Sequence, residues 1–150
     1  MMSTIGISEY LNGYINEEIV LEYVEIRMVE QGRKSTTFDH QLQIIRCSYR
    51  GEGGCRDTIG MIMPDPLYLP EMDRGNHTSV CYLVQHYMDH LDVRDDIDAK
   101  FLKMRCEFLQ DLQMVHDSIR QEKRYFLEDL GKNLRGLRYK WGLVCEGTEY

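Results

Sequence analysis

All three prolines of this 150-residue chain fall together, at Pro64, Pro66 and Pro70. Proline lacks an N–H, fixes its own φ and pushes the residue before it toward extended backbone. That stretch is therefore the least helical part of the chain. Glycines crowd just ahead of it, in Cys47-Ser48-Tyr49-Arg50-Gly51-Glu52-Gly53-Gly54-Cys55, where a turn with positive φ angles is expected.

Upstream, a helix is predicted over 17–31. Asn16 suits its N-cap, Glu17 and Glu18 suit the positive end of its dipole, and Gly32 stands where a helix stops. Ile19, Tyr23 and Ile26 are expected on one apolar face, with Val20 and Val24 beside it. Residues 33–41 are polar and read as a loop, and the alternation after Leu42 predicts a short strand. A short helix is expected over 55–63, a Pro/Gly loop over 64–77 and a helix over 79–90. The longest helix, over 97–120, repeats Phe101, Met104, Phe108, Leu112 and Val115 at spacings of three and four. Another helix is expected over 121–135, with Gly131 ending it early, and Tyr139, Trp141, Leu143 and Val144 return apolar groups in the tail. The fold expected is mainly α: a single compact helical domain over 1–150 with one short β element or hairpin near residues 42–50. The 97–120 helix is its central packing element.

Net charge is −7, from 25 acidic and 18 basic residues. Nucleic-acid binding needs a basic footprint, so that class of partner is disfavoured. The two signs are interspersed, which also argues against a mimic of DNA. No run approaches the roughly 18–20 apolar residues of a membrane span, and the amino terminus lacks the basic and apolar regions of a secretory signal. The five cysteines, Cys47, Cys55, Cys81, Cys106 and Cys145, are then expected to be free thiols in a reducing cytoplasm. Nothing in the sequence sets an oligomeric state.

No set of residues assembles a standard site. Gly51 and Gly53 begin a G-x-G pattern, but Arg56 stands where its third glycine belongs. A zinc set drawn from Cys47, Cys55, His77, Cys81, His86 and His90 has poor spacing, although His86 and His90 would share a helix face. Arg46, Arg50 and Arg56 supply charge near Cys47 and Cys55, yet no pattern names a histidine base for either thiol. Asp89, Asp92, Asp95, Asp96 and Asp98 lack the glycine and order of a calcium loop and read as a solvated turn. The doublet His116-Asp117 resembles the HD pair of metal phosphohydrolases, but its further ligands are missing. It is expected at the edge of the core. No metal and no cofactor is implied.

Taken together, Cys47-Ser48-Tyr49-Arg50-Gly51, Gly54, Ile59 to Asp65, Tyr68, and Leu109, Leu112, Gln113, His116, Asp117 resemble a family of small phage and prophage proteins. Its pattern is C-x-Y-R-G, then I-P-D-x-x-Y, then L-x-x-L-Q-x-x-H-D, and the likeness runs over about residues 20–120. Asp57-Thr58 departs from the family's Cys-Ala, and Asp73-Arg74-Gly75 from its Glu-Gly. The resemblance implies a phage-encoded cytoplasmic protein rather than a reaction. It also implies that Tyr49, Arg50, Asp65, His116 and Asp117 lie near each other. Arg50 is expected to bridge Asp65 or Asp117 through paired hydrogen bonds and lock the loop as a scaffold. Two functions follow as expectations. One is a protein that binds and modulates a host protein, in takeover or counter-defence. The other is a small hydrolase using Asp65, His116 and Asp117, with Arg50 stabilising negative charge.

Overall fold

The computed structural model describes residues 5–74 and 79–143. Its elements run α1 (Ile7–Leu11), α2 (Glu17–Gln31), β1 (Thr36–Asp39), β2 (Ile44–Cys47), α3 (Val80–His86), α4 (Ala99–Asp117) and α5 (Phe126–Lys140). The architecture is mainly helical with one antiparallel hairpin, as expected. His77, Val144 and Cys145 lie outside the described residues. Among the described residues, no helix is long and apolar enough to cross a membrane.

Local chemistry sets the helix ends. The Asn16 side chain accepts the Ile19 N–H at 3.0 Å, and Gly32 closes α2 with a left-handed φ of 72°. Asp98 caps α4 in the same way through the Phe101 N–H at 3.0 Å. α4 packs against α1, α3 and α5, which makes it the central element. One apolar cluster runs through the five helices and the 59–72 segment, with Phe108, Leu109 and Leu112 fully enclosed. The short α1 buries Ile7, Tyr10 and Leu11 although no sequence signal marks it. It is held because Arg105 pairs with Glu17 at 3.0 Å, bonds the Ile15 carbonyl at 2.8 Å and lies over the rings of Tyr10 and Phe101.

Five expectations are corrected. The buried side of α2 is Val20, Leu21, Tyr23, Val24 and Met28, while Ile19 and Ile26 face outward. Apolar residues lie almost all round this helix, so periodicity could not choose. The loop read over 33–41 contains β1, which pairs with β2 in the register Thr36↔Cys47 to Asp39↔Ile44. The helix expected over 55–63 is replaced by an isolated bridge of Arg56 to Arg50 and one 3-10 turn at Gly60–Ile62. Fourth, α5 begins at Phe126 and passes through Gly131. Its buried stripe of Leu130, Leu134 and Leu137 outweighs the glycine's cost of roughly 1 kcal/mol.

The helix over 79–90 is also shorter than expected. α3 stops at His86, so His86 and His90 share no helix face. His86 instead stacks on Tyr82 at 5.1 Å.

Candidate functional site

The segment 47–73 folds back on itself in a clamp built mostly from backbone. Ser48 continues the hairpin by donating its N–H to the Ser35 carbonyl at 3.1 Å. The Gly51 N–H reaches the Cys55 carbonyl at 2.9 Å and closes the glycine turn, in which Gly53 and Gly54 have φ of 69° and 75°. The returning strand-like arm is fixed by Gln31, whose side-chain amide accepts the Arg56 N–H at 2.8 Å and donates to the Arg56 carbonyl at 2.9 Å. Gly60 then passes so close to Tyr49 that an added Cβ would stand 2.0 Å from the Tyr49 carbonyl oxygen. Only glycine fits there.

Asp73 closes the clamp. Its carboxylate accepts the N–H of Tyr49 at 2.8 Å, the N–H of Arg50 at 3.1 Å and the hydroxyl of Tyr68 at 2.6 Å. The fully buried Asp57 accepts the Gly60 N–H at 2.7 Å. Burial pushes the Asp57 carboxyl well above the usual range, and the neighbouring charges of Asp117 and Asp73 push it the same way. Burial likewise raises the Tyr49 phenol, whose oxygen meets Gln113 Nε2 at 3.4 Å.

Arg50 pairs with Asp65 at 2.7 Å, not with Asp117. It donates to the Met63 carbonyl at 3.0 Å and lies 4.3 Å from the centre of the Tyr68 ring. Arg56 reaches the same Asp65 oxygen at 3.1 Å. The guanidinium is thus held by an acidic group, as expected. The Asp65 side chain is 76% exposed, however, so solvent screens the pair and it contributes about 0–1 kcal/mol. The clamp rests on Asp73 more than on Asp65.

His116 and Asp117 belong to a second cluster, where the end of α4 meets the base of the hairpin. His116 is completely buried. Its Nε2 accepts the Ser35 N–H at 2.8 Å, which assigns the ring proton to Nδ1, 2.9 Å from Asp117 Oδ1. Burial lowers the imidazole's proton affinity, outweighing the Asp117 carboxylate. Lys34 Nζ caps the carboxyl end of α4 through the carbonyls of Ile119 at 2.7 Å and Asp117 at 3.3 Å.

The donor atoms of Cys47, His116 and Asp117 lie within 4.8 Å of one another, a separation that three ligands of one metal ion also show. The wiring does not fit an ion. A metal on Nδ1 would move the ring proton to Nε2, against the Ser35 N–H, and the Lys34 ammonium sits beside the thiol. Nor is Cys47 an activated nucleophile. The imidazole lone pair goes to Ser35, and burial together with Asp117 pushes the thiol up to about 11, against the pull of Lys34.

The five residues singled out in the sequence therefore fall into two pairs, Arg50 with Asp65 and His116 with Asp117. Tyr49 connects them, through Asp73 on its backbone side and Gln113, one helical turn before His116, on its ring side. Among the described residues no hydrogen bond or ion pair joins the two pairs directly. Asp73, Asp57, Gln31, Ser35 and Lys34 do the joining. Asp57 and Asp73 had a signal in the sequence as the two departures from the phage pattern; Gln31, Lys34 and Ser35 fall in the stretch Glu30 to Ser35, which also resembles that family, but nothing there named these roles. Comparison with protein-family models, with curated proteins and with solved structures finds no match.

Proposed function

We propose that this chain is a binding protein, phage-encoded and acting in the host cytoplasm, that modulates a host protein by docking the β1–β2 hairpin on it. The hairpin carries the proposal. Leu42, Ile44 and Ile45 are 58%, 45% and 55% exposed, and successive strand residues point to opposite faces, so Ile44 and Ile45 leave both faces of the ribbon apolar and uncovered. On the outer edge of β1 the Phe38 N–H is taken by the Glu52 carboxylate at 3.4 Å, so the β2 edge is the one offered for main-chain pairing with a partner strand, a common mode of peptide recognition. The Asp39–Arg46 pair at 3.3 Å and the Asp39 side chain, which accepts the Gln41 and Leu42 N–H groups, hold the tip in shape before any partner arrives. The residues with chemical potential are meanwhile engaged within the fold, which supports binding over hydrolysis by Asp65, His116 and Asp117.

The test is affinity capture from producing host cells with three proteins: wild type, Ile45→Asp and Ile26→Asp. Ile26 is 39% exposed on α2 and serves as the apolar control. One stoichiometric host protein should be recovered with wild type and Ile26→Asp and lost with Ile45→Asp. Capture of that protein by Ile45→Asp, or a dimer of the chain itself that Ile45→Asp dissociates, would overturn the proposal.

A further inference from the structure

On a chain with net charge −7, one cavity gathers cations. It has a volume of about 230 Å³ and opens between the base of the hairpin and the turn that enters α5. Arg33, Lys34, Arg120 and Lys123 line it, with Glu52 and Glu122 as its acidic members. Their pairing decides which charges are available to a ligand.

Arg120 is already neutralised. Its backbone N–H and guanidinium make three bonds to the Asp129 carboxylate at 2.9–3.0 Å, which hold that carboxyl at about 2. Glu122 is matched by Arg124 at 3.1 Å. Lys123 makes no ion pair among the described residues. Among the described residues the Arg33 side chain has a single long bond, 3.4 Å, to the Gly53 carbonyl. Lys34 gives two of its three N–H donors to the end of α4 and turns the third toward the Cys47 thiol, so its charge is engaged there. Arg33 and Lys123 are therefore the cations left to the cavity, against Glu52. Like charges drawn together without counter-ions raise the local potential, and an anion bound among them relieves it. The turn also starts a helix: α5 and the 3-10 turn before it have no side-chain cap, so the field of the helix end has the same sign.

The lining selects among anions. Its aromatic member, Phe126, is 1% exposed, and the Tyr125 ring nearby is covered by Arg120 at 3.6 Å and Arg124 at 4.6 Å. No ring face is offered to a nucleobase. The volume exceeds what a lone phosphate ion fills, and Glu52 and Gln121 can accept hydrogen bonds from hydroxyl groups. We infer that this cavity is a binding site for a small phosphate monoester of a polyol, its phosphate held by Arg33 and Lys123 and its hydroxyls by Glu52 and Gln121. This site is separate from the hairpin tip and does not depend on the docking proposed above.

Titration of the full chain with glycerol 3-phosphate, inorganic phosphate and glycerol, followed by calorimetry and by phosphorus NMR, tests it. Glycerol 3-phosphate should saturate with Kd on the order of 0.1–1 mM, weaken as salt is raised, and bind more tightly than inorganic phosphate. Glycerol alone should not bind. Lys123→Ala and Arg33→Ala should each weaken binding about tenfold, because each removes one of the two charges on the phosphate. Both side chains are exposed, so both variants should melt with the wild type. Absence of saturation at ~10 mM, far above the expected Kd, or an unchanged Kd in both variants, would overturn the site. Tighter binding of inorganic phosphate than of the ester would overturn the assignment to a monoester.

Discussion

Replacing Asp73 by alanine removes the carboxylate on which the 47–73 clamp converges. Three donors lose their acceptor: the Tyr49 N–H at 2.8 Å, the Arg50 N–H at 3.1 Å and the Tyr68 hydroxyl at 2.6 Å. Tyr49 is buried, so its N–H finds little water as a substitute, whereas Arg50 and Tyr68 are half-buried and recover part of their hydration. A hydrogen bond to a charged acceptor contributes about 1.5–3 kcal/mol, and an orphaned buried donor costs about 1–3 kcal/mol. With the Tyr49 bond counted in full and the other two at roughly half, Asp73→Ala should cost about 3–6 kcal/mol. At about 2–4 °C per kcal/mol for a chain of this length, the melting temperature should fall by about 10 °C. Arg50→Ala should cost only about 1 kcal/mol. It forfeits a screened pair with Asp65, one bond to the Met63 carbonyl and contact with Tyr68, but it also removes Arg50 Nε, a buried donor without an acceptor. Urea denaturation of the two variants and the wild type, followed by circular dichroism with the slopes compared, gives both numbers. If Arg50→Ala unfolds at a lower urea concentration than Asp73→Ala, the guanidinium holds the clamp and the reasoning fails.

Asp57→Asn should stabilise the protein at neutral pH. The folded-state carboxyl binds its proton more tightly than the unfolded one, so its contribution is complete below the ordinary value of 3.8 and is lost as pH rises through the raised one, while an amide keeps the acceptor for Gly60 at every pH. Melting curves of wild type and variant should converge near pH 4 and separate toward pH 8; parallel curves would show that Asp57 is not sealed. His116 works in the opposite sense: its contribution is present above 6.5 and is lost as pH falls through the lowered value. Its nitrogen resonances should report the neutral Nδ1–H form at the ordinary histidine midpoint and below it, and a titration centred on that midpoint would refute the sealed arrangement. Cys47, with its thiol raised to about 11, should alkylate at pH 7 at least tenfold more slowly than a free cysteine peptide. Mass spectrometry resolves that rate, and labelling as fast as the peptide would mean an activated thiol.

The borders of α2 were legible because they are local, whereas α4, expected over 97–120, runs Ala99–Asp117. Asn16, Gly32 and Asp98 act on backbone within a few residues of themselves, and a capping side chain or a left-handed glycine does the same work in any fold. The hairpin was half legible: Ile44 to Cys47 carries its own β preference, whereas Thr36 to Asp39 becomes a strand because a partner lies beside it.

The site was legible as residue types and not as wiring. Arg50 beside Asp65 and His116 beside Asp117 follow from opposite charge and adjacency. That the two pairs stay apart follows from groups distant in the chain: Gln31 bonds Arg56, Asp73 gathers Tyr49 and Arg50, and Ser35 occupies His116 Nε2. By itself, then, the sequence determined where α2 begins and ends, that a long helix follows Asp98, and that the proline segment is not one. The tertiary structure decided which side of α2 is buried, why 55–63 does not coil, and that the histidine is scaffold. Capping and backbone preference act within one or two turns of chain, whereas burial and hydrogen-bond satisfaction are settled by whichever distant group arrives.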